Sequence, residues 1–181
     1  MMSTIRRLLR RLLGRDPLSR LRANGLITGR NFFMQDSCLI DASHCWHIRI
    51  GDDVTLGPRV TLLAHDASMR QALGKVRLGR LEIGSRVFIG AGAIVLPGIR
   101  IGDDCIIGAG SVVSADIPAG SLAFGNPARV MGSTADYLER QRQLMAGSPV
   151  FDERYTLRGG VTTAMKEEMN RQMQNGPAFI D

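Results

Sequence analysis

A repeat of six residues is the feature that most constrains what this chain can fold into. From residue 50 onward an aliphatic side chain recurs at every sixth position, with one interruption: Ile50, Leu56, Leu62, Ile83, Ile89, Val95, Ile101, Ile107 and Val113. A second small or branched residue follows four positions later in most units: Val54, Val60, Val87, Ala93, Ile99, Cys105, Ser111 and Ile117. Neither the 3.6-residue period of a helix nor the two-residue period of a strand gives this spacing.

A six-residue period predicts a mainly β, three-sided solenoid. Each unit supplies one short strand and one turn, the aliphatic side chain points inward, and three units complete one coil of parallel strands. Glycine often follows the inward residue directly, and we expect it to permit the tight turn. The composition agrees, because 21 glycines and only 5% aromatic residues suit a core of small and branched side chains.

The repeat also sets the expected domain organisation. Residues 31–130 form the solenoid, and a weaker upstream phase places Cys38 and His44 at inward positions, with Ala42 and Ile48 four residues later. The step from Leu62 to Ile83 is not a multiple of six, so an external loop is expected at about residues 68–81. Residues 131–181 are expected to be a C-terminal helical extension, with helices over about 134–145 and 163–174.

Residues 1–30 are predicted to hold a short amphipathic helix and a linker. Leucines and arginines occupy opposite faces of residues 4–13, and two interpretations remain open. The helix covers the first coil of the solenoid, or it attaches the protein weakly to the inner face of an anionic membrane. No signal peptide or membrane-spanning run is recognised, and the three cysteines form no CxxC pair, so we expect reduced thiols in a cytoplasmic protein.

The central motifs resemble those of the hexapeptide-repeat acyltransferases, the group that contains galactoside and maltose O-acetyltransferases and polysaccharide O-acetyltransferases. The resemblance rests on IGDDVTLGPRVTLLAHDAS, on two IGAG turns and on the closing GNPARV. It implies a left-handed parallel β-helix, a homotrimer with active sites between subunits, and acetyl-CoA as co-substrate without a metal. The implied reaction is direct transfer of an acetyl group to a hydroxyl of a sugar or saccharide in a ternary complex.

The resemblance places the catalytic histidine at His65. A neutral imidazole suits this role, because its ordinary pKa of about 6.5 lets it take a proton from a hydroxyl near neutral pH. Gln35, Asp41 and Asp66 are expected to contact the acceptor. For Asp41 two further interpretations remain open, bracing of His65 and a structural role in a turn. For Asp66 the interpretation as a solvated turn residue also remains open. Gln35 stands where the family often has asparagine.

The same resemblance places the coenzyme along the two IGAG turns. The expected cofactor-binding residues are Gly90, Ala91, Gly108, Ala109, Ser114, Arg129 and Lys75. Small residues leave backbone accessible to the pantetheine arm, and the Ala91 N–H is expected to donate to the thioester oxygen. Arg129 is the principal candidate for the phosphates, because the family's frequent lysine is replaced by Ala115. Lys75 and Arg77 are weaker candidates.

Three other functions remain as alternatives. Relatives with the same fold N-acylate amino sugars. A zinc enzyme like the gamma-type carbonic anhydrases would need His44, His47 and His65, of which His47 and His65 would stack on adjacent coils. A non-enzymatic scaffold would need only the repeat. Nucleic acid is not expected as a partner despite the net charge of +6, because few aromatic residues are available for base stacking.

Overall fold

The computed structural model describes residues 17–35 and 37–181 of the chain, so the expected helix at residues 4–13 lies outside the described residues. The helices are α1 (Pro17–Ala23), α2 (Arg70–Leu73), α3 (Thr134–Ala146) and α4 (Thr163–Gln172), with 3-10 turns at Cys45–His47 and Glu153–Tyr155. The strands are β1 (Ile27–Thr28), β2 (Phe33–Met34), β3 (Leu39–Ile40), β4 (Ile48–Ile50), β5 (Thr55–Leu56), β6 (Thr61–Leu62), β7 (His65–Asp66), β8 (Arg77–Leu78), β9 (Leu81–Ile83), β10 (Phe88–Ile89), β11 (Ile94–Val95), β12 (Arg100–Ile101), β13 (Ile106–Ile107), β14 (Val112–Val113), β15 (Ser121–Gly125), β16 (Ala128–Ser133), β17 (Val150–Phe151) and β18 (Phe179–Ile180).

The coil has three faces, each a sheet of strands that lie one above another in successive turns. The first face runs β1-β4-β9-β12, the second β2-β5-β10-β13-β15-β16, and the third β3-β6-β11-β14. Every pairing in them is parallel except that of β15 with β16. We call the turns that follow the first, second and third faces the first, second and third corners.

The hexad pattern is confirmed as the core of the coil. All nine inward aliphatic residues are buried, and so are all eight residues that follow four positions later. Inward residues stack on inward residues, as in the pairing of Ile83 with Ile101 and of Leu62 with Val95. The spacing works because each short strand turns one side chain inward while the neighbouring coil covers it above and below.

The expected upstream phase is wrong, because the coil before Ile50 is longer than three six-residue units. Ile40, and not Cys38, pairs with the inward Leu62, and Thr28 pairs with Ile50. The cause is a short insert in the coil, which includes the 3-10 turn at Cys45–His47 between β3 and β4. The chain therefore returns to the first face later than a strict hexad would bring it.

The glycine that follows the inward residue on the first and second faces has a different role from the one expected. Positive φ angles occur three positions after the inward residue, for example at Asp53, Arg86 and Gly110. The glycine directly after it is required by the stacking of coils, because a Cβ on Gly90 would lie 2.5 Å from the Ala109 nitrogen. The tight turn and the glycine are therefore separate features of the units that contain both.

The interruption of the repeat is an external hairpin at the third corner. Strand β7 pairs antiparallel with β8, with α2 between them, and β9 then rejoins the first face. The chain divides into two compact units, the coil up to Thr134 and a second unit over residues 135–181 that contains most of α3, together with α4 and the β17–β18 pair. None of the described helices is long and apolar enough to span a membrane. All three cysteines are free thiols, and Cys45 and Cys105 are fully buried.

Candidate active site

His65 begins the external hairpin at the third corner, where the chain leaves the coil. Its Nδ1 is hydrogen-bonded to a carboxylate oxygen of Asp41, which lies on the preceding coil directly after β3. The His65 side chain is about one-third exposed, whereas that of Asp41 is 2% exposed. A buried carboxylate on Nδ1 fixes the orientation of the ring and leaves Nε2 as the nitrogen free to accept a proton.

The Asp41 carboxylate is held ionised by its hydrogen bonds. Burial by itself would raise the pKa of this carboxyl group. The bond to His65 and the backbone N–H groups of Ala64, at 3.0 Å, and Ser43, at 3.1 Å, outweigh burial and hold the pKa below its ordinary value. Asp41 therefore provides a fixed negative charge beside the imidazole, as the bracing interpretation requires, while its expected contact with the acceptor stays a prediction.

His65 faces a cleft at the third corner. The cleft is lined by Leu63, His65, Asp66, Ala67, Arg77, Leu96 and Pro97. Asp66 accepts a hydrogen bond from the Ser68 N–H at 2.9 Å and lies 3.4 Å from an Arg77 nitrogen, and these contacts lower the pKa of its carboxyl group. Its position on the cleft is compatible with acceptor binding, although its oxygens already stabilise the hairpin.

The second corner contains the four small residues of the IGAG turns. Gly90 and Ala91 lie one coil from Gly108 and Ala109, so that coil backbone meets coil backbone without intervening side chains. The N–H groups of Gly90 and Gly92 donate to Ile107 O and Pro58 O, but that of Ala91 has no acceptor within residues 17–35 and 37–181. An unpaired N–H on a partly exposed residue is a suitable donor to a thioester oxygen.

The other residues expected to bind the acceptor or the coenzyme lie at the second and third corners. Gln35 follows Met34, the partner of Leu56, and so lies in the second corner one coil from Gly57. Arg129 is exposed and pairs across β15–β16 with Phe124. Phe124 packs against the second corner, because a Cβ added to Gly108 would lie 2.6 Å from the Phe124 Cβ.

Ser114 lies at the third corner with the histidine, and Lys75 lies on the external hairpin that His65 begins. Ser114 follows Val113, the partner of Val95, and so shares the third corner with Leu96 of the cleft. Lys75 is exposed on the hairpin between α2 and β8. Within one chain, the IGAG turns therefore lie at a different corner from His65, with the third face between them, whereas Ser114 and Lys75 lie on the side of His65.

The histidines do not form the arrangement expected for a zinc enzyme. His47 directly precedes Ile48, whose partner on the next coil is Leu81, so His47 does not stack on His65. The structure instead groups Asp41, His44 and His65, with one potential ligand atom from each within 4.8 Å of the others. Because the His65 Nδ1 is already bonded to Asp41, this group is better matched to a hydrogen-bonded pair than to three converging ligands.

The sequence motifs did not predict that Trp46 lies close to the candidate site. It belongs to the Cys45–His47 turn, its side chain is half exposed, and its ring contacts those of His44 and His47. His44 in turn contacts the His65 ring, with centroids 4.8 Å apart. The sequence did contain one indication of its importance, because the single tryptophan of the chain lies in the stretch where the six-residue repeat is interrupted.

Comparison with known proteins agrees with this fold. The family model described as bacterial transferase hexapeptide (six repeats) matches residues 81–115. Protein CapG of Staphylococcus aureus is 36% identical over 136 residues, which are 72% of this chain and 77% of CapG. The chain belongs to the hexapeptide-repeat acyltransferase family.

Two solved structures are also similar. A maltose O-acetyltransferase from Clostridium difficile superimposes with a TM-score of 0.52 and 43% identity, covering 59% of this chain and 57% of that one. A galactoside acetyltransferase in complex with coenzyme A gives a TM-score of 0.52 at 27% identity, covering 66% of this chain and 70% of that one. The chain spans about half the length of several curated relatives, for example 57% and 45% of the nodulation L proteins of two Rhizobium species.

Proposed function

We propose that the protein transfers an acetyl group from acetyl-CoA to a hydroxyl of a saccharide, with His65 as general base. The observation that carries the proposal is the bond between the His65 Nδ1 and the buried Asp41 carboxylate at the edge of a cleft. A scaffold would need only the bonds that Asp41 accepts from the Ala64 and Ser43 N–H groups. The additional bond to a partly exposed histidine at a cleft is typical of a reactive site. The maltose and galactoside relatives support a sugar as the acceptor.

The proposed reaction is a direct transfer. The His65 Nε2 takes the proton of the acceptor hydroxyl as its oxygen attacks the thioester carbonyl. The Ala91 N–H, with no acceptor in the described part of the chain, would donate to the oxygen that becomes negative in the tetrahedral intermediate. The intermediate then collapses, the carbon–sulfur bond breaks, and the imidazolium returns the proton to the departing thiolate.

The proposed assembly is a homotrimer of left-handed coils, as family membership implies. The separation of His65 and the IGAG turns between two corners of one chain supports an active site completed by a neighbouring subunit. The proposed location is the cytoplasm, where acetyl-CoA is supplied and free thiols such as Cys45 remain reduced.

The test is a screen of acceptors. Purified protein and acetyl-CoA are incubated with galactosides, maltose, maltotriose, amino sugars and nucleotide sugars, and release of the CoA thiol is followed. We expect release that depends on a hydroxyl acceptor. Acceptance of amino sugars alone, with an amide product, would replace the proposal with N-acylation, and release with no acceptor would contradict it.

Replacing Arg129 by alanine should weaken coenzyme binding. Loss of a cation near the second corner should raise the KM for acetyl-CoA roughly three- to tenfold, with a smaller change in kcat, because the contact is exposed and partly screened by salt. The dependence of this KM on salt should also become weaker. The matched control is Arg30→Ala, which removes an exposed arginine paired with Asp52 away from both corners. Equal effects of the two substitutions would exclude a specific role for Arg129.

A further inference from the structure

The insert that shifts the hexad phase builds an aromatic surface beside His65. Trp46 is 50% exposed, an unusual degree for the only tryptophan of a chain. Its ring lies 5.4 Å from that of His44, which lies 4.8 Å from that of His65. The indole is therefore one ring removed from the candidate base, on an element that the repeat itself does not require.

The backbone holds this indole in place. A Cβ on Gly25, which follows α1, would lie 2.8 Å from the Trp46 Cβ, so the base of the side chain is packed against the preceding coil. The His47 ring contacts the indole at 5.6 Å and lies nearly parallel to that of His44, at an interplanar angle of 8°. The indole is thus supported at its base and flanked by two imidazole rings, while half of its surface is open to solvent.

We propose that Trp46, supported by His44, forms a subsite that stacks against the apolar C–H face of a pyranose ring of the acceptor. This inference rests on the proposed function and narrows it, because a ring bound one side chain away from His65 is next to the sugar that carries the reacting hydroxyl. The favoured acceptors are consequently saccharides of two or more units. An exposed aromatic ring combined with hydrogen-bonding groups is the usual composition of a site for an amphipathic ligand.

The single tryptophan supplies a direct measurement that does not depend on turnover. The emission of the wild-type protein is titrated with methyl galactoside, maltose and maltotriose, with and without CoA. We expect a saturable change with at least one of the longer saccharides, at concentrations that match its KM in the transfer assay. If no saccharide alters the emission, the subsite is excluded, even if transfer of acetyl groups is observed. An emission change without transfer would support the subsite and contradict the proposed function.

Substitution gives an independent test. Trp46→Ala should raise the KM for the extended saccharide about tenfold and leave the KM for acetyl-CoA unchanged, whereas Trp46→Phe should retain most of the affinity. Leu157→Ala, a truncation of an 87% exposed side chain in the second unit, is the control. An unchanged KM in Trp46→Ala would overturn the proposal. So would an emission that depends on protein concentration and not on saccharide, because it would show that a second copy of the chain covers the indole.

Discussion

Replacing His65 by alanine should lower kcat roughly 10²–10⁴-fold while the affinity for CoA stays nearly unchanged. The loss follows from the chemistry of the acceptor, because a neutral hydroxyl is a poor nucleophile until a base removes its proton during attack. The side chain is one-third exposed at the edge of the coil, so its removal should not disturb the hydrophobic core.

The alanine variant leaves the Asp41 carboxylate without one partner, so its stability must be compared with that of a second variant. His65→Asn restores a hydrogen-bond donor to Asp41 but provides no base at neutral pH. We expect it to be as inactive as His65→Ala and closer to the wild type in thermal stability. Substantial activity in either folded variant would remove His65 from the mechanism.

Replacing Asp41 by asparagine should have the second largest effect, a fall in kcat of about 10²-fold. The carboxylate accepts a hydrogen bond from Nδ1–H and stabilises the positive charge that the imidazole gains in the transition state. An asparagine amide can donate to Nδ1 and favour the tautomer whose Nε2 carries the proton and cannot act as a base. The KM for acetyl-CoA should change little, because the Asp41 carboxylate is buried against His65 and lies at a different corner from the IGAG turns.

The effect of pH on stability provides a second readout for Asp41. Its pKa is lowered in the folded protein, so the ionised carboxylate contributes stability that is fully present above the ordinary pKa of about 4. That contribution is lost as the pH falls through the lowered folded pKa. The difference in unfolding free energy between wild type and Asp41→Asn should therefore shrink in strong acid. Asp53→Asn, which changes an exposed carboxylate of the first corner, should leave kcat unchanged.

The coil could be predicted from the sequence because the residues that specify each strand and turn lie within one six-residue unit. Each inward residue, such as Ile89 or Ile107, is specified by its own unit and by the coils on either side, so spacing alone identifies the core. The phase failed before Ile50 because a short insert carries no periodic signal that fixes its length. The role of Gly90 was misread because close stacking is a contact between coils, and the sequence shows only the turn.

The site was predictable only in part. The HD motif predicted His65 as the base. The choice among the three roles considered for Asp41 depended on its hydrogen bond to His65, which joins two neighbouring coils and is not visible in the sequence. The separation of Ala91 from His65 between two corners follows from strand register, which the interruption of the repeat between Leu62 and Ile83 obscured. Trp46 could not be assigned, because its position beside His44 depends on the irregular turn that the repeat does not describe.

The central claim is that an acetyl group passes from acetyl-CoA to a saccharide hydroxyl with His65 as base. The most direct measurement is a quantitative comparison of CoA released with acetyl ester formed on the best acceptor of the screen, using wild type and His65→Asn prepared in parallel. The account predicts one ester per CoA for the wild type, with the product cleaved by mild alkali as an ester should be, and a rate at least about 10²-fold lower for the variant. Release of CoA without acetylated saccharide, or equal rates for the two proteins, would contradict it.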